Sequence, residues 1–68
     1  MTVGSLVHGT LVSLQSIEAT LHSLAAKTND REAKEAFYQS AINTQEVIRQ
    51  IQTRKGEIER EEPQYQQQ

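Results

Sequence analysis

Two stretches of helical apolar periodicity, separated by a short polar break, limit what this chain can fold into. In the first stretch, from about residue 3 to 28, apolar residues recur three, four and seven positions apart, which is the spacing of one face of an amphipathic α-helix. The stripe consists of Val3, Val7, Leu14, Ile17, Leu21 and Leu24, widened by Leu6, Leu11 and Ala25. The sequence therefore predicts a first helix with one broad apolar face.

The second stretch, from about residue 30 to 62, follows a heptad pattern whose steps alternate between four and three residues. Its members are Phe37, Ala41, Thr44, Ile48, Ile51, Lys55 and Ile58. Pro63 should end this helix, because proline has no backbone N–H and disfavours helical geometry in the residue before it. We therefore expect a second helix followed by a polar tail at residues 63–68.

The break between the stretches, Lys27-Thr28-Asn29-Asp30, is polar and rich in helix-capping residues. Asn29, with Glu32 three residues later, resembles a capping box that would start the second helix. A turn as short as residues 28–30 makes the two helices antiparallel neighbours. The expected fold is all-α: one domain, an antiparallel two-helix hairpin over residues 1–68.

A hairpin of this size has little core of its own. The chain has 68 residues and no cysteine, so a disulfide or a thiolate metal site cannot stabilise it. Because small scaffolds without such links usually oligomerise, we expect two hairpins to form a homo-oligomeric, four-helix-type bundle. The residues predicted to form the oligomer core are Val7, Leu11, Leu14, Ile17, Leu21, Leu24, Phe37, Ala41, Ile48, Ile51 and Ile58.

The first helix carries almost no charge, since Glu18 is the one charged residue between Met1 and Ala26. It should therefore be the more deeply buried helix in the assembly, and Leu14→Asp should disrupt the assembly far more than Glu46→Lys. Apolar residues off the main stripes suggest a second interface, although scattered exposed apolar residues are also normal. These residues are Val12, Ala19, Ala26, Tyr38 and Ile42.

No arrangement of residues points to catalysis or to a cofactor. His8 and His22 are fourteen residues apart, roughly 21 Å along a helix, so one chain cannot bring both to one metal. Glu18 and His22 could share a face, but no second ligand pair opposes them. With a net charge of −2 and scattered basic residues, the chain also lacks a nucleic-acid footprint. We expect neither an enzyme nor a metal or nucleic-acid-binding protein.

Two alternatives for a partner surface remain open. The acidic end of the second helix opposes the helix dipole, so it is either a solvated helix end or a docking tail made of Glu61, Glu62, Pro63 and Tyr65. The first helix joins an apolar face to a Ser/Thr-rich one, as lipid-packing sensors do, although most such stripes in small soluble proteins are simply core. No apolar run is long enough to span a membrane and no signal peptide is evident, so membrane contact would not involve insertion across the bilayer.

Several segments resemble the domain of unknown function 1657 family of small proteins from endospore-forming bacteria. They are Met1-Thr2-Val3-Gly4, Leu14, Glu18-Ala19, Glu32-Ala33-Lys34-Glu35-Ala36-Phe37 and Glu61-Glu62-Pro63-Gln64-Tyr65. The resemblance covers nearly the whole chain, although Gln66-Gln67-Gln68 departs from the Lys-containing tail of the family. No catalytic or binding residues are established for this family.

The resemblance implies an accessory spore protein of unknown molecular role, cytoplasmic in the forespore or spore core, or held at the inner spore membrane. Genes of this family often lie beside those for spore membrane channel proteins that move dipicolinic acid. The same domain also occurs fused to a membrane protein implicated in spore heat resistance. The resemblance thus implies, as an alternative to self-association, a peripheral membrane or channel-docking protein that acts with the dipicolinic acid channel.

Overall fold

The computed structural model describes residues 3–61 of the chain, and the side chains of all of these except residues 59 and 61. Helix α1 runs over Val3–Lys27 and helix α2 over Arg31–Glu61, and the two pack side by side as an antiparallel pair. The described residues contain no strand. The predicted all-α hairpin is therefore confirmed.

The seam between the helices follows one heptad pattern in each helix. In α2 it keeps the residues expected from the sequence, with Ala41 fully buried and Ile48 only 7% exposed. Phe37, Ile51 and Ile58 are half-buried on the same line. Steps of four and three keep these side chains on one side of the helix as it winds along its neighbour. This periodicity therefore identified the packed face of α2 correctly.

In α1 the seam lies one position away from part of the apolar stripe. Leu11 and Ala25 are buried and Glu18 is half-buried, whereas Ile17 and Leu24 remain 49% and 42% exposed. A single neighbouring helix covers only a narrow heptad stripe, and the apolar face of α1 is wider than that. The less exposed residues of α1 are Gly4, Val7, Leu11, Leu14, Glu18, Leu21 and Ala25.

Asp30, and not Asn29, caps the second helix. A carboxylate oxygen of Asp30 accepts hydrogen bonds from the backbone N–H of Glu32 at 3.0 Å and of Ala33 at 3.4 Å. These are two of the donors that a helix start leaves without a helical partner. The Thr28 hydroxyl accepts a further bond, from the Asp30 N–H at 3.2 Å. The Asn29–Glu32 capping box was wrong because the helix starts one residue later than it requires.

Candidate interaction surface

One polar cluster shows which sides of the two helices lie next to each other. The His22 and Tyr38 rings meet edge to face, with centroids 6.2 Å apart and planes at 65°. Next to them, the side-chain amide of Gln45 donates a hydrogen bond of 2.6 Å to the Glu18 carboxylate. His22 and Gln45 each occupy the same heptad position relative to the seam. The side of α1 that carries the histidines therefore lies beside the side of α2 that carries Tyr38.

This side of the hairpin is called the histidine flank. It brings together the five residues predicted as a second interface, all of them exposed, with Val12 at 48%, Tyr38 at 45% and Ile42 at 54%. Polar side chains separate these apolar ones along the flank. An open, shallow groove on it is lined by His8, Leu11, Val12, Gln15, Gln52, Lys55 and Gly56. Use of this flank as an interface stays a prediction.

The Glu18 cluster offers too few ligands for a metal. The His22 imidazole lies 3.4 Å from the Glu18 carboxylate, and its side chain is 46% exposed. Protein zinc sites use three or four side chains at bonding distance. Among residues 3–61 no group of three His, Cys, Asp or Glu side chains is placed to hold a metal ion. The described residues thus give no sign of a metal-dependent active site.

The opposite side of the hairpin is called the apolar flank. On it, four large aliphatic side chains of α1 stand 42–55% exposed: Val3, Leu6, Ile17 and Leu24. Small hydroxyl-bearing residues, Thr10, Ser13 and Thr20, fill the positions between them. Val47 of α2 shares the corresponding heptad position and is 43% exposed. The apolar flank therefore runs nearly the length of α1.

The apolar flank is free of charged side chains from Val3 to Leu24, because Glu18, the one charged residue of that stretch, turns into the seam. It also carries a shallow depression, whose lining consists of Ser5, Leu6, Gly9, Thr10, Ser13 and Leu14. Exposed apolar patches with a polar border mark interaction sites, and the aliphatic side chains here are interrupted by small hydroxyl residues but by no charge. A surface of this kind can pack against another apolar helix without leaving a charge unpaired.

The outer face of α2 has the opposite character. Arg49 donates to the Glu46 carboxylate, with Nε–Oε2 at 3.0 Å. Arg54, which follows Val47 by seven residues on the α2 side of the apolar flank, pairs with Glu57 at 3.3 Å. Hydrogen bonds from Arg49, and then from Gln50, lower the pKa of Glu46 below its ordinary value of 4.5. The same pair raises the pKa of Arg49. This face is well solvated and self-compensated, so an interaction surface is better sought on α1.

The residues predicted for an oligomer core divide into three groups in the hairpin. Leu11, Ala41 and Ile48 are buried against the other helix. Ile17 and Leu24 lie on the apolar flank. The half-buried members of the seam are Val7, Leu14, Leu21, Phe37, Ile51 and Ile58. Their burial by a second copy stays a prediction.

The apolar flank could have been predicted from the sequence. Val3, Thr10, Ile17 and Leu24 are each seven residues apart and form a heptad line separate from the line through Leu11, Glu18 and Ala25. The proposed docking tail cannot be placed, since Glu62, Pro63 and Tyr65 lie outside the described residues and Glu61 is the last residue of α2. Within residues 3–61, neither helix combines the length and the hydropathy needed to cross a bilayer.

Comparison with known proteins gives a family but no activity. The model of a family described as "Protein of unknown function (DUF1657)" matches residues 7–54, which cover most of both helices and the turn between them. No protein with a curated description matches the chain, and no solved structure does. A function has to be inferred from the geometry of the hairpin itself.

Proposed function

Because the chain belongs to the DUF1657 family of proteins of unknown function, we propose its function from its own surface: it is a non-enzymatic helical module that self-associates through the apolar flank. The product is a homo-oligomeric bundle of the four-helix type. The observation that carries this proposal is the row of exposed Val3, Leu6, Ile17 and Leu24 on a side of α1 that has no charged side chain.

The balance of burial supports self-association. Residues 3–61 bury four hydrophobic residues, two of them alanines, and leave eight large ones exposed. Burying apolar surface is the main favourable term in folding, at roughly 25 cal/mol per Å². A second hairpin laid on the apolar flank would remove Leu6 and Ile17, each about half exposed, from water. The hairpin would gain in the dimer the core that it lacks alone.

The size of the hairpin suits a stable dimer. The molecule measures 49 Å by 18 Å across its broad face. Stable protein interfaces bury ~800 Å² per partner, so an interface on this side would have to use most of the length of the hairpin. The α1 part of the flank carries no charged side chain, so two copies can meet along α1 without repulsion between like charges.

Light scattering coupled to size-exclusion chromatography, over a range of protein concentrations, tests this proposal. We expect a mass of twice the chain's 7.7 kDa, or a higher multiple, and a melting temperature that rises with concentration, since association stabilises the folded state by mass action. A folded helical monomer with a melting temperature independent of concentration would rule out self-association as the function.

The biological setting that we propose is that of an accessory spore protein, cytoplasmic in the forespore or spore core. The family resemblance supports this setting. Fluorescence microscopy of a tagged chain expressed from its own promoter would test it. Signal confined to the forespore during sporulation is expected, and equal signal throughout vegetative growth would contradict it.

A second candidate function, peripheral contact with a membrane or with the spore dipicolinic acid channel, is favoured by the same flank. Its apolar residues are bordered by Ser and Thr, the composition of helices that enter lipid-packing defects. Flotation with phospholipid vesicles and co-purification with the channel proteins would separate this candidate from self-association. A stable oligomer that neither floats with vesicles nor captures a channel protein would exclude it.

A further inference from the structure

We infer, resting on the proposed self-association, that the second copy packs its α1 antiparallel to the first α1 around a two-fold axis near Ser13. In this arrangement Ile17 of each copy fills the depression on the apolar flank of the other. The surface features that carry the inference are the exposed Ile17 side chain, at 49%, and an open depression on the same flank of α1.

The lining of the depression has the geometry of a coiled-coil hole. Leu6, Gly9, Thr10 and Ser13 line it, and these four residues are spaced by three, four and seven positions along α1. A hole of four residues with this spacing is what receives a single side chain of a facing helix in knobs-into-holes packing. The depression is therefore suited to a helical partner with one large aliphatic side chain.

Symmetry identifies that side chain. In a two-fold antiparallel pair, a residue that follows the axis by a given number of positions faces the residues of the other copy that precede the axis by the same number. Ile17 is four residues after Ser13, and Gly9 is four residues before it. Leu24 would likewise face the region of Val3, since they lie eleven residues after and ten before. Each large side chain thus faces either a small residue or the end of the partner helix, so the flank is complementary to itself.

A parallel pairing lacks this complementarity. It would set Ile17 against Ile17 and Ser13 against Ser13, and the open depression at Gly9 would face another depression. Packing in protein interfaces approaches the density of protein interiors, and voids forfeit contacts on both sides. Only the antiparallel arrangement lets both copies fill their depressions at once.

The glycine in the depression is not required by the hairpin. A methyl group placed on Gly9 meets no atom within 4 Å, and the same holds for Gly56 of α2, which lies on the histidine flank. Alanine has the higher helix propensity at both positions. Gly9→Ala and Gly56→Ala are therefore matched substitutions in the free hairpin, and they differ in whether they occupy the proposed hole for Ile17.

Dimer dissociation constants of these two variants, measured by sedimentation equilibrium, give the first test. Gly9→Ala should weaken dimerisation about tenfold, the ratio that corresponds to ~1.4 kcal/mol, because the added methyl group competes with Ile17 for the hole. Gly56→Ala should leave the dissociation constant unchanged while raising the thermal stability. Equal effects of the two substitutions on dimerisation would overturn the inference.

Disulfide trapping gives the second test. Because the chain has no cysteine of its own, a single introduced cysteine can pair only with the same residue of another copy. Ser13→Cys should form a covalent dimer on mild oxidation, since its counterpart lies across the axis. Thr20→Cys, on the same flank, should not, because seven residues on each side of the axis separate the two thiols by roughly 21 Å. A disulfide needs Cα atoms within about 7 Å of each other.

The outcomes separate the inference from the proposed function. A light-scattering monomer would reject both. A dimer in which Ser13→Cys and Thr20→Cys crosslink equally, or in which neither does, would reject the antiparallel arrangement and leave self-association standing. A dimer with selective crosslinking at Ser13 and a specific loss in Gly9→Ala supports the arrangement.

Discussion

The side-chain amide of Gln45 on α2 donates a hydrogen bond of 2.6 Å to the carboxylate of Glu18 on α1. Glu18 occupies a seam position where an aliphatic residue would be usual, and its side chain is only 21% exposed. A polar residue at such a position commonly fixes register at a cost in stability. The Glu18–Gln45 bond is therefore placed to favour one register of α1 against α2.

A double-mutant cycle of Glu18→Ala and Gln45→Ala should yield a coupling free energy of about 0.5–1.5 kcal/mol, the range for a hydrogen bond between side chains. The measurement is chemical denaturation followed by circular dichroism. The control cycle is Gln39→Ala with Asn43→Ala, whose 3.1 Å bond lies within α2 and links no helices. Coupling no larger than in that control would remove the register role of Glu18.

Asp30→Ala should destabilise the hairpin by about 1 kcal/mol, because it removes the acceptor for the Glu32 and Ala33 N–H groups. Thermal unfolding of the variant measures the loss. Asn29→Ala is the matched control, since the neighbouring Asn29 side chain accepts neither of these bonds. A larger loss in Asn29→Ala than in Asp30→Ala would restore the capping role to Asn29.

Acidification should weaken α2 through Glu46. Bonding to Arg49 and Gln50 lowers the pKa of Glu46 below 4.5, so its contribution to stability is fully present above that pH and is lost as the pH falls through the lowered pKa. Glu46→Gln should accordingly show a shallower fall in melting temperature below pH 4.5 than the unaltered chain. Because Glu46 is exposed, the difference will be small, and a steeper fall in the variant would contradict this origin.

Leu14→Asp should unfold the hairpin itself as well as any assembly. Leu14 is half-buried in the seam, and putting a charge among apolar side chains is strongly destabilising, here by about 3 kcal/mol or more. Glu46→Lys, on the exposed face of α2, should change stability by less than about 0.5 kcal/mol. Helical content measured by circular dichroism would record both, and retention of full helicity in Leu14→Asp at low concentration would contradict the seam assignment.

The sequence was sufficient to predict the hairpin and the packed face of α2, because the heptad pattern from Phe37 to Ile58 allows only one face to pack. It was insufficient in α1, where apolar residues occupy two adjacent heptad lines and periodicity alone does not decide which line α2 covers. Ala25 is fully buried and Leu24 is 42% exposed, although leucine is the larger hydrophobe. Ala25 and Ala41 are both fully buried in the seam, and such small residues carry little weight in a hydrophobic pattern.

The cap was misassigned for a related reason. Asn29 and Asp30 are adjacent and both are good N-cap residues, so the difference is one residue in where the helix begins. In the turn, the Asp30 N–H donates a hydrogen bond of 3.2 Å to the Thr28 hydroxyl, and the helix begins directly after Asp30. Capping preference alone does not distinguish two adjacent residues that are both good N-caps.

The most direct test of self-association through the apolar flank compares Ile17→Lys with Val12→Lys by sedimentation equilibrium. The two residues are equally exposed in the hairpin, at 49% and 48%, and lie on opposite flanks of the same helix. Since a lysine on the contacting flank would place a charge in an apolar interface, we expect Ile17→Lys to be a folded monomer and Val12→Lys to keep the oligomeric mass of the unaltered chain. An oligomeric Ile17→Lys together with a monomeric Val12→Lys would contradict the account and move the interface to the histidine flank.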